Sequence, residues 1–148
     1  MDVERSGPVT AVERYFFTPL YYPLGPVQVI GWWERRRLAY NVCVGAAGLM
    51  SLGAVVLLAP GPRSAMADAG LLIGALMYGL AANACYTLGW TVDLALRRAL
   101  GIRAPDLAPV MLRYGFVFSV GLTLVPIPVV MAARLVVAVA TLFGAGAA

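Results

Sequence analysis

The sequence predicts an all-α membrane protein. It has four transmembrane helices at about 38–59, 69–92, 107–125 and 129–146, behind an aromatic, proline-rich N-terminal arm at the membrane interface. Three observations carry this. The chain is 61% hydrophobic and only 12% charged, where soluble domains carry about a quarter charged residues. Runs of uncharged residues long enough to cross roughly 30 Å of hydrocarbon recur along it. Arginine, tryptophan, proline or glycine punctuates the ends of those runs. The expected organisation is an arm, residues 1–37, and a bundle, residues 38–148.

Residues 1–14 are of mixed charge. The next stretch, 15–33, concentrates Tyr15, Phe16, Phe17, Tyr21, Tyr22, Trp32 and Trp33. Pro19, Pro23 and Pro26, with Gly25 and Gly31, argue against a continuous helix here. Aromatic bodies in lipid with polar tips in water suit the headgroup layer. The alternative use of so aromatic an arm is docking on another subunit. Gly31-Trp32-Trp33-Glu34-Arg35-Arg36-Arg37 then leads into the first apolar run, marking where the membrane begins.

Leu38 to Ala59 contains no charge, and Pro60-Gly61-Pro62 is expected to end that helix. Ala65-Met66-Ala67 imitates a signal-peptidase site, but the lead-in and the apolar core are both too long for a signal peptide. The second run, Ala69 to Val92, closes on Trp90, Asp93, Arg97 and Arg98. Asp93 and Arg97 stand i, i+4, so helix is expected to continue through them. From Leu107 the chain is apolar to its last residue, too long for one crossing. Val125-Pro126-Ile127-Pro128 divides it, and two helices joined by a tight turn are expected. A single kinked helix is the alternative.

All eleven basic residues are arginine. Arg35, Arg36 and Arg37 precede the first span, and Arg97, Arg98 and Arg103 follow the second. The positive-inside rule therefore makes both termini cytoplasmic, in what the absence of lysine suggests is a bacterial inner (plasma) membrane. Because the arginines flank apolar spans, lipid headgroups rather than nucleic acid are the expected partner of the +4 charge. Trp90 belongs with Tyr15, Phe16, Phe17, Tyr21, Tyr22, Trp32, Trp33, Arg35, Arg36 and Arg37 in a lipid or partner interface. Since span two closes with the ingredients that open span one, a cross-helix collar is expected. In it Glu34 faces Arg97 or Arg98, or Asp93 faces the Arg35–Arg37 run.

Within the spans the candidates are Asn83, Arg113 and Arg134. A mid-membrane amide needs a partner, and Ser51 or Ser119 are the expected ones for Asn83. Arg113 and Arg134 lie near span ends, where they can snorkel or meet an acid, with anion binding as the sharper alternative. Stripes of small and polar residues mark the spans: Asn41, Gly45, Gly48 and Ser51; Gly70, Gly74, Gly79, Asn83 and Thr87; Gly115, Ser119 and Thr123. They suit close helix packing. Cys43 and Cys85 are read as small hydrophobes.

The chemistry is largely negative. Without histidine there is no bis-histidine haem and none of the commonest transition-metal sites. No nucleophile–base pair, carboxylate pair, phosphate loop or dinucleotide fingerprint is present. The chain has the size of small multidrug transporters but lacks the membrane-embedded glutamate of their first span. It also lacks the CxxC of four-helix thiol oxidoreductases. No enzymatic activity and no cofactor or metal is expected. The function expected is a non-catalytic accessory, assembly or scaffold subunit of a larger membrane complex. A small homo-oligomeric transporter or channel with an anion contact at Arg113 or Arg134 is the alternative, and a membrane immunity protein the weaker one.

Overall fold

A computed structural model describes residues 11–21, 25–59 and 64–144, without the side chains at 12, 13 and 17. All regular structure among these residues is helical: α1 (Ala11–Phe17), α2 (Pro26–Leu58), α3 (Ala65–Ala99), α4 (Leu107–Leu124) and α5 (Pro126–Gly144). Three long apolar helices could cross a membrane: Pro26–Leu58, Ala65–Ala99 and Leu107–Gly144, the last interrupted at Val125.

No continuous helix runs over 15–33, since α1 ends at Phe17 and residues 18–21 are not helical, but α2 starts before the expected Leu38. Helix begins at Pro26 and runs without a break through Gly31, Trp32, Trp33 and the three arginines. Gly25 is the N-cap: its carbonyl accepts from the amides of Gln28 at 3.1 Å and Val29 at 3.4 Å. The Gln28 side chain returns the contact, its Oε1 accepting from the Gly25 amide at 2.6 Å. Pro26 therefore occupies the first helical position, where a missing N–H costs nothing, and Gln28 completes half of a capping box. Gly31 sits in the helix interior, at a cost of about 1 kcal/mol against alanine that tertiary packing outweighs. The expected stop at Pro60-Gly61-Pro62 lies outside the described residues.

Helix α3 also overruns its expected bounds. The Ser64 hydroxyl accepts from the Ala67 amide at 3.2 Å as an N-cap. Its far end turns at Gly101, which takes φ +62°, and the Leu96 carbonyl accepts from the amides of Leu100 at 3.1 Å and Ile102 at 3.5 Å.

The contacts fall into two compact units, residues 1–38 with 86–116 and residues 39–85 with 117–148. In the first, Val29, Trp32, Trp33, Tyr86, Ala108 and Leu112 are buried, and so are Arg36 and Asp93. In the second, Tyr40, Val44, Ala47, Ala82 and Val130 are buried around Ser51 and Thr123.

Four separate spans are not what the second unit contains. Helices α4 and α5 are one residue apart, and the level of their contacts gives the direction of α5. Ser51 Oγ donates to the Thr123 carbonyl at 2.5 Å, which sets α4 against α2 at that height. Arg134 Nη2 donates to the Ala59 carbonyl at 3.2 Å, and its Nε donates to that of Leu58. Leu58 lies two turns, roughly 10 Å, further along α2 than Ser51. A reversal at Val125–Pro128 would carry Arg134 back roughly 10 Å in the other direction, beyond the reach of its side chain to Leu58. The chain instead continues past the prolines as a kinked helix. Val125 N–H closes a tight turn on Leu122 at 3.3 Å, and Pro126 and Pro128 have no N–H to give.

Candidate functional site

In the first unit the arm residues fold onto the helix they precede. Trp32 Nε1 donates to the Thr18 carbonyl at 2.9 Å, and the Tyr15 hydroxyl donates to the Arg35 carbonyl. Phe16 packs on Phe116 with ring centroids 6.0 Å apart. Leu20 N–H donates to the Pro105 carbonyl at 3.1 Å. Arg36 is the clamp. Its guanidinium lies 3.8 Å from the Trp32 ring centroid, while Nη1 donates to the Trp32 carbonyl at 2.8 Å and Nε to that of Phe16 at 3.2 Å. A guanidinium stacked on an indole and satisfied by carbonyls is a stable way to bury a cation.

Beside it, Trp33 Nε1 donates to Asp93 Oδ2 at 3.0 Å, and Arg97 Nε donates to Asp93 Oδ1 at 2.6 Å. Asp93 is fully buried. The Tyr86 hydroxyl donates to the Trp33 carbonyl at 2.5 Å, with the two rings edge to face. The expected cross-helix collar of ion pairs does not form. Glu34 pairs with Arg37 on its own helix at 2.7 Å, and Asp93 with Arg97 on its own. Pairs one turn apart form with less loss of side-chain freedom than pairs between helices. What joins the helices at this level is neutral or half-charged: Trp33 to Asp93, Tyr86 to Trp33, and Arg37 Nη2 to Thr87 Oγ1 at 3.1 Å. Arg37 also lies 5.0 Å from the Tyr86 ring centroid.

The remaining interface candidates divide. Tyr15, Tyr21 and Arg35 are exposed. The Trp90 indole N–H is buried and has no hydrogen-bond partner among the described residues. Tyr22 and the Phe17 side chain lie outside them.

In the second unit a polar ladder ties the helices together. Asn41 Nδ2 donates to Asn83 Oδ1 at 3.1 Å, and Asn83 Nδ2 donates to the Gly79 carbonyl at 3.2 Å. Asn83 thus finds Asn41 rather than the expected Ser51 or Ser119. Those two serve others: the Tyr40 hydroxyl donates to Ser119 Oγ at 2.8 Å, and Ser51 bonds Thr123. The Tyr78 hydroxyl shares a 2.7 Å bond with Thr123 Oγ1. Tyr40 and Tyr78 carry no mark in the sequence, because a tyrosine in an apolar run reads as one more hydrophobe.

The glycine stripes of α2 and α3 do not close on each other. They line an open cleft of about 1040 Å³, with Asn41 and Asn83 in its wall and Asp68 and Ser64 where α3 begins. A methyl group added at Gly45, Gly70, Gly74 or Gly79 would meet nothing within 4 Å. Neither intramembrane arginine contributes to this lining: Arg113 is exposed, and Arg134 caps the last carbonyls of α2. Cys43 and Cys85 are both exposed free thiols. No group of three or more His, Cys, Asp or Glu side chains gathers to hold a metal among the described residues. No protein-family model matches the chain, and neither does any curated protein or solved structure.

Proposed function

We propose that this chain is a non-catalytic membrane subunit that receives an apolar helix of another subunit in the cleft between α2 and α3. The cleft is the observation that carries the reading. Its walls carry Gly45, Gly48, Gly70, Gly74, Ala75 and Gly79 among larger apolar side chains such as Leu49, Leu52 and Leu71. Helices associate in lipid through small residues that let backbones approach, and a GxxxG such as Gly70–Gly74 is the commonest form of that surface. The Asn41–Asn83 pair at the cleft wall offers hydrogen-bonding capacity to a Ser, Thr or Asn on the incoming helix. The transporter reading draws less support, since Arg134 is engaged by α2 carbonyls and neither arginine lines the cleft.

The topology we propose has three crossings in a bacterial inner membrane. The arginine-rich N-terminal end is cytoplasmic by the positive-inside rule. The C-terminal end then lies on the opposite side, which replaces the expectation of two cytoplasmic termini.

Purification in a gentle detergent tests the function. We expect a second membrane protein at fixed stoichiometry, lost when Gly45→Leu and Gly74→Leu fill the cleft and kept in the Cys43→Ala control. Recovery of the bait alone, as a defined homo-oligomer, would sink the accessory reading.

A further inference from the structure

We propose that Arg14, Arg35, Arg103 and Arg113 form a surface for acidic phospholipid headgroups, arranged around the arm residues 11–21. This does not rest on the accessory-subunit reading.

The arginines of the first unit are of two kinds. Arg36, Arg37 and Arg97 are spent within the fold, on carbonyls, rings, Glu34, Thr87 and Asp93. Arg14, Arg35, Arg98, Arg103 and Arg113 are exposed, and all but Arg98 adjoin a residue that the arm touches. None of their guanidinium groups has a hydrogen-bond, ion-pair or ring partner among the described residues.

Four of them border the arm. Arg14 is on α1 itself. Arg35 supplies the carbonyl to which Tyr15 donates. Arg103 is two residues from Pro105, whose carbonyl holds the Leu20 amide. Arg113 is one turn before Phe116, the ring that packs on Phe16. Asp106 in that loop and Glu13 in the arm are the acids set against these arginines in the sequence, so the balance stays positive.

Exposed Tyr15 and Tyr21 lie in the arm between these cations. Tyrosine with free arginine is the pairing that the headgroup layer favours. A neutral headgroup leaves the four cations uncompensated; an acidic one pairs with them. One basic residue near a negatively charged leaflet changes partition by about fivefold, so four acting together discriminate strongly even when partly screened by salt.

The test uses the full chain, purified in a neutral detergent, with bound lipid counted by native mass spectrometry. Phosphatidylglycerol competes with phosphatidylcholine of the same acyl chains. We expect at least about a tenfold preference for phosphatidylglycerol, falling several-fold as salt rises through the screening range. Joint replacement of the four arginines by Gln should abolish the preference, and joint replacement by Lys should keep it. Equal retention of the two lipids by the unaltered chain overturns the proposal. So does a preference that survives high salt, which needs no variant to fold. Displacement by inorganic phosphate, but not by chloride at matched ionic strength, identifies a free-anion site and also overturns it.

Discussion

Trp33 Nε1 donates to Asp93 Oδ2 at 3.0 Å across sixty residues of chain, in a site where Asp93 has no solvent exposure. The carboxylate is held between an indole on one helix and the Arg97 guanidinium on its own. Tyr86 holds the Trp33 backbone carbonyl, and the Trp33 ring passes 3.2 Å from where a side chain on Gly89 would begin. The contacts of Trp33 with Asp93, Tyr86 and Gly89 therefore fix the mutual height and rotation of α2 and α3 at this level.

The carboxylate is the part whose loss matters most. Asp93→Ala leaves Arg97 without its acid in a site where its side chain is 7% exposed, and breaking a buried pair in this way costs about 3–5 kcal/mol. Trp33→Phe removes the indole N–H together with part of a buried ring, so the lost charge-assisted bond, about 1.5–3 kcal/mol, adds to the cost of the lost volume. Asp93→Asn with Arg97→Gln should cost less than the two single changes added together, because they share one interaction. Equilibrium unfolding in mixed micelles measures all four. A Trp33→Phe protein as stable as the parent would show that the indole–carboxylate bond carries no energy.

Gly89 and Gly45 separate a glycine needed for space from one that is not. A Cβ at Gly89 lies 3.2 Å from Trp33 Cη2 and Cζ3, and the ring cannot retreat while Asp93 and Tyr86 hold it. Gly89→Ala should destabilise by about 1–3 kcal/mol through overpacking. It should also shift Trp emission as the indole loses its bond. At Gly45 the added methyl meets nothing, so Gly45→Ala should be neutral or stabilise by up to about 1 kcal/mol through helix propensity. Thermal unfolding of the pair, read by fluorescence, decides it, and equal effects would show that Trp33 is free to move.

Much of this architecture was legible in the chain, and the parts that were not share a cause. The charge-free runs located every apolar segment, because hydrocarbon leaves a compositional trace that needs no partner to interpret. The Asp93–Arg97 spacing placed helix beyond the end of its span, since a pair one turn apart is a local property. The break within 15–33 is legible in its prolines, but not that helix resumes at Pro26: proline suits the first turn of a helix and breaks one elsewhere, and the meaning of Gly25-Pro26-Val27-Gln28 depends on where that turn starts. The partner of Asn83 was out of reach for another reason. Helices apolar all round have no stripe to set their rotation, so whether Asn83 faces Asn41, Ser51 or Ser119 is decided by packing alone. Trp33–Asp93 is the same case: both residues stand out in their segments, but that Asp93 takes the indole instead of the neighbouring arginines of α2 is decided by packing.

Arg134 caps a helix that is not its own. The carbonyls of Leu58 and Ala59 belong to the last turn of α2, where intrahelical donors run out. Arg134→Gln should fray that turn, raising amide exchange several-fold over residues 55–59 while leaving the first turn of α3 unchanged. Arg134→Lys should restore part of the protection, since an ammonium also donates to carbonyls but without the fork. Exchange rates over 55–59 that do not move in Arg134→Gln would mean that the cap is formed only transiently.

The direction of α5 makes the last prediction, and it concerns sidedness. With Arg134 at the height of Leu58 and Ala59, α5 continues away from Ser51 and Thr123 instead of returning beside them. The three crossings we propose would put the two ends of the chain on opposite sides. Tags fused at the N- and C-termini should report opposite compartments when assayed by protease in sealed vesicles of known orientation. Pro126→Ala with Pro128→Ala restores two backbone donors and should straighten the joint without changing that result. A hairpin, by contrast, depends on the break: four crossings would place both tags on one side. Finding both tags in the cytoplasm would overturn the kinked-helix geometry and would return Arg134 to the part of α5 that runs back through the bilayer.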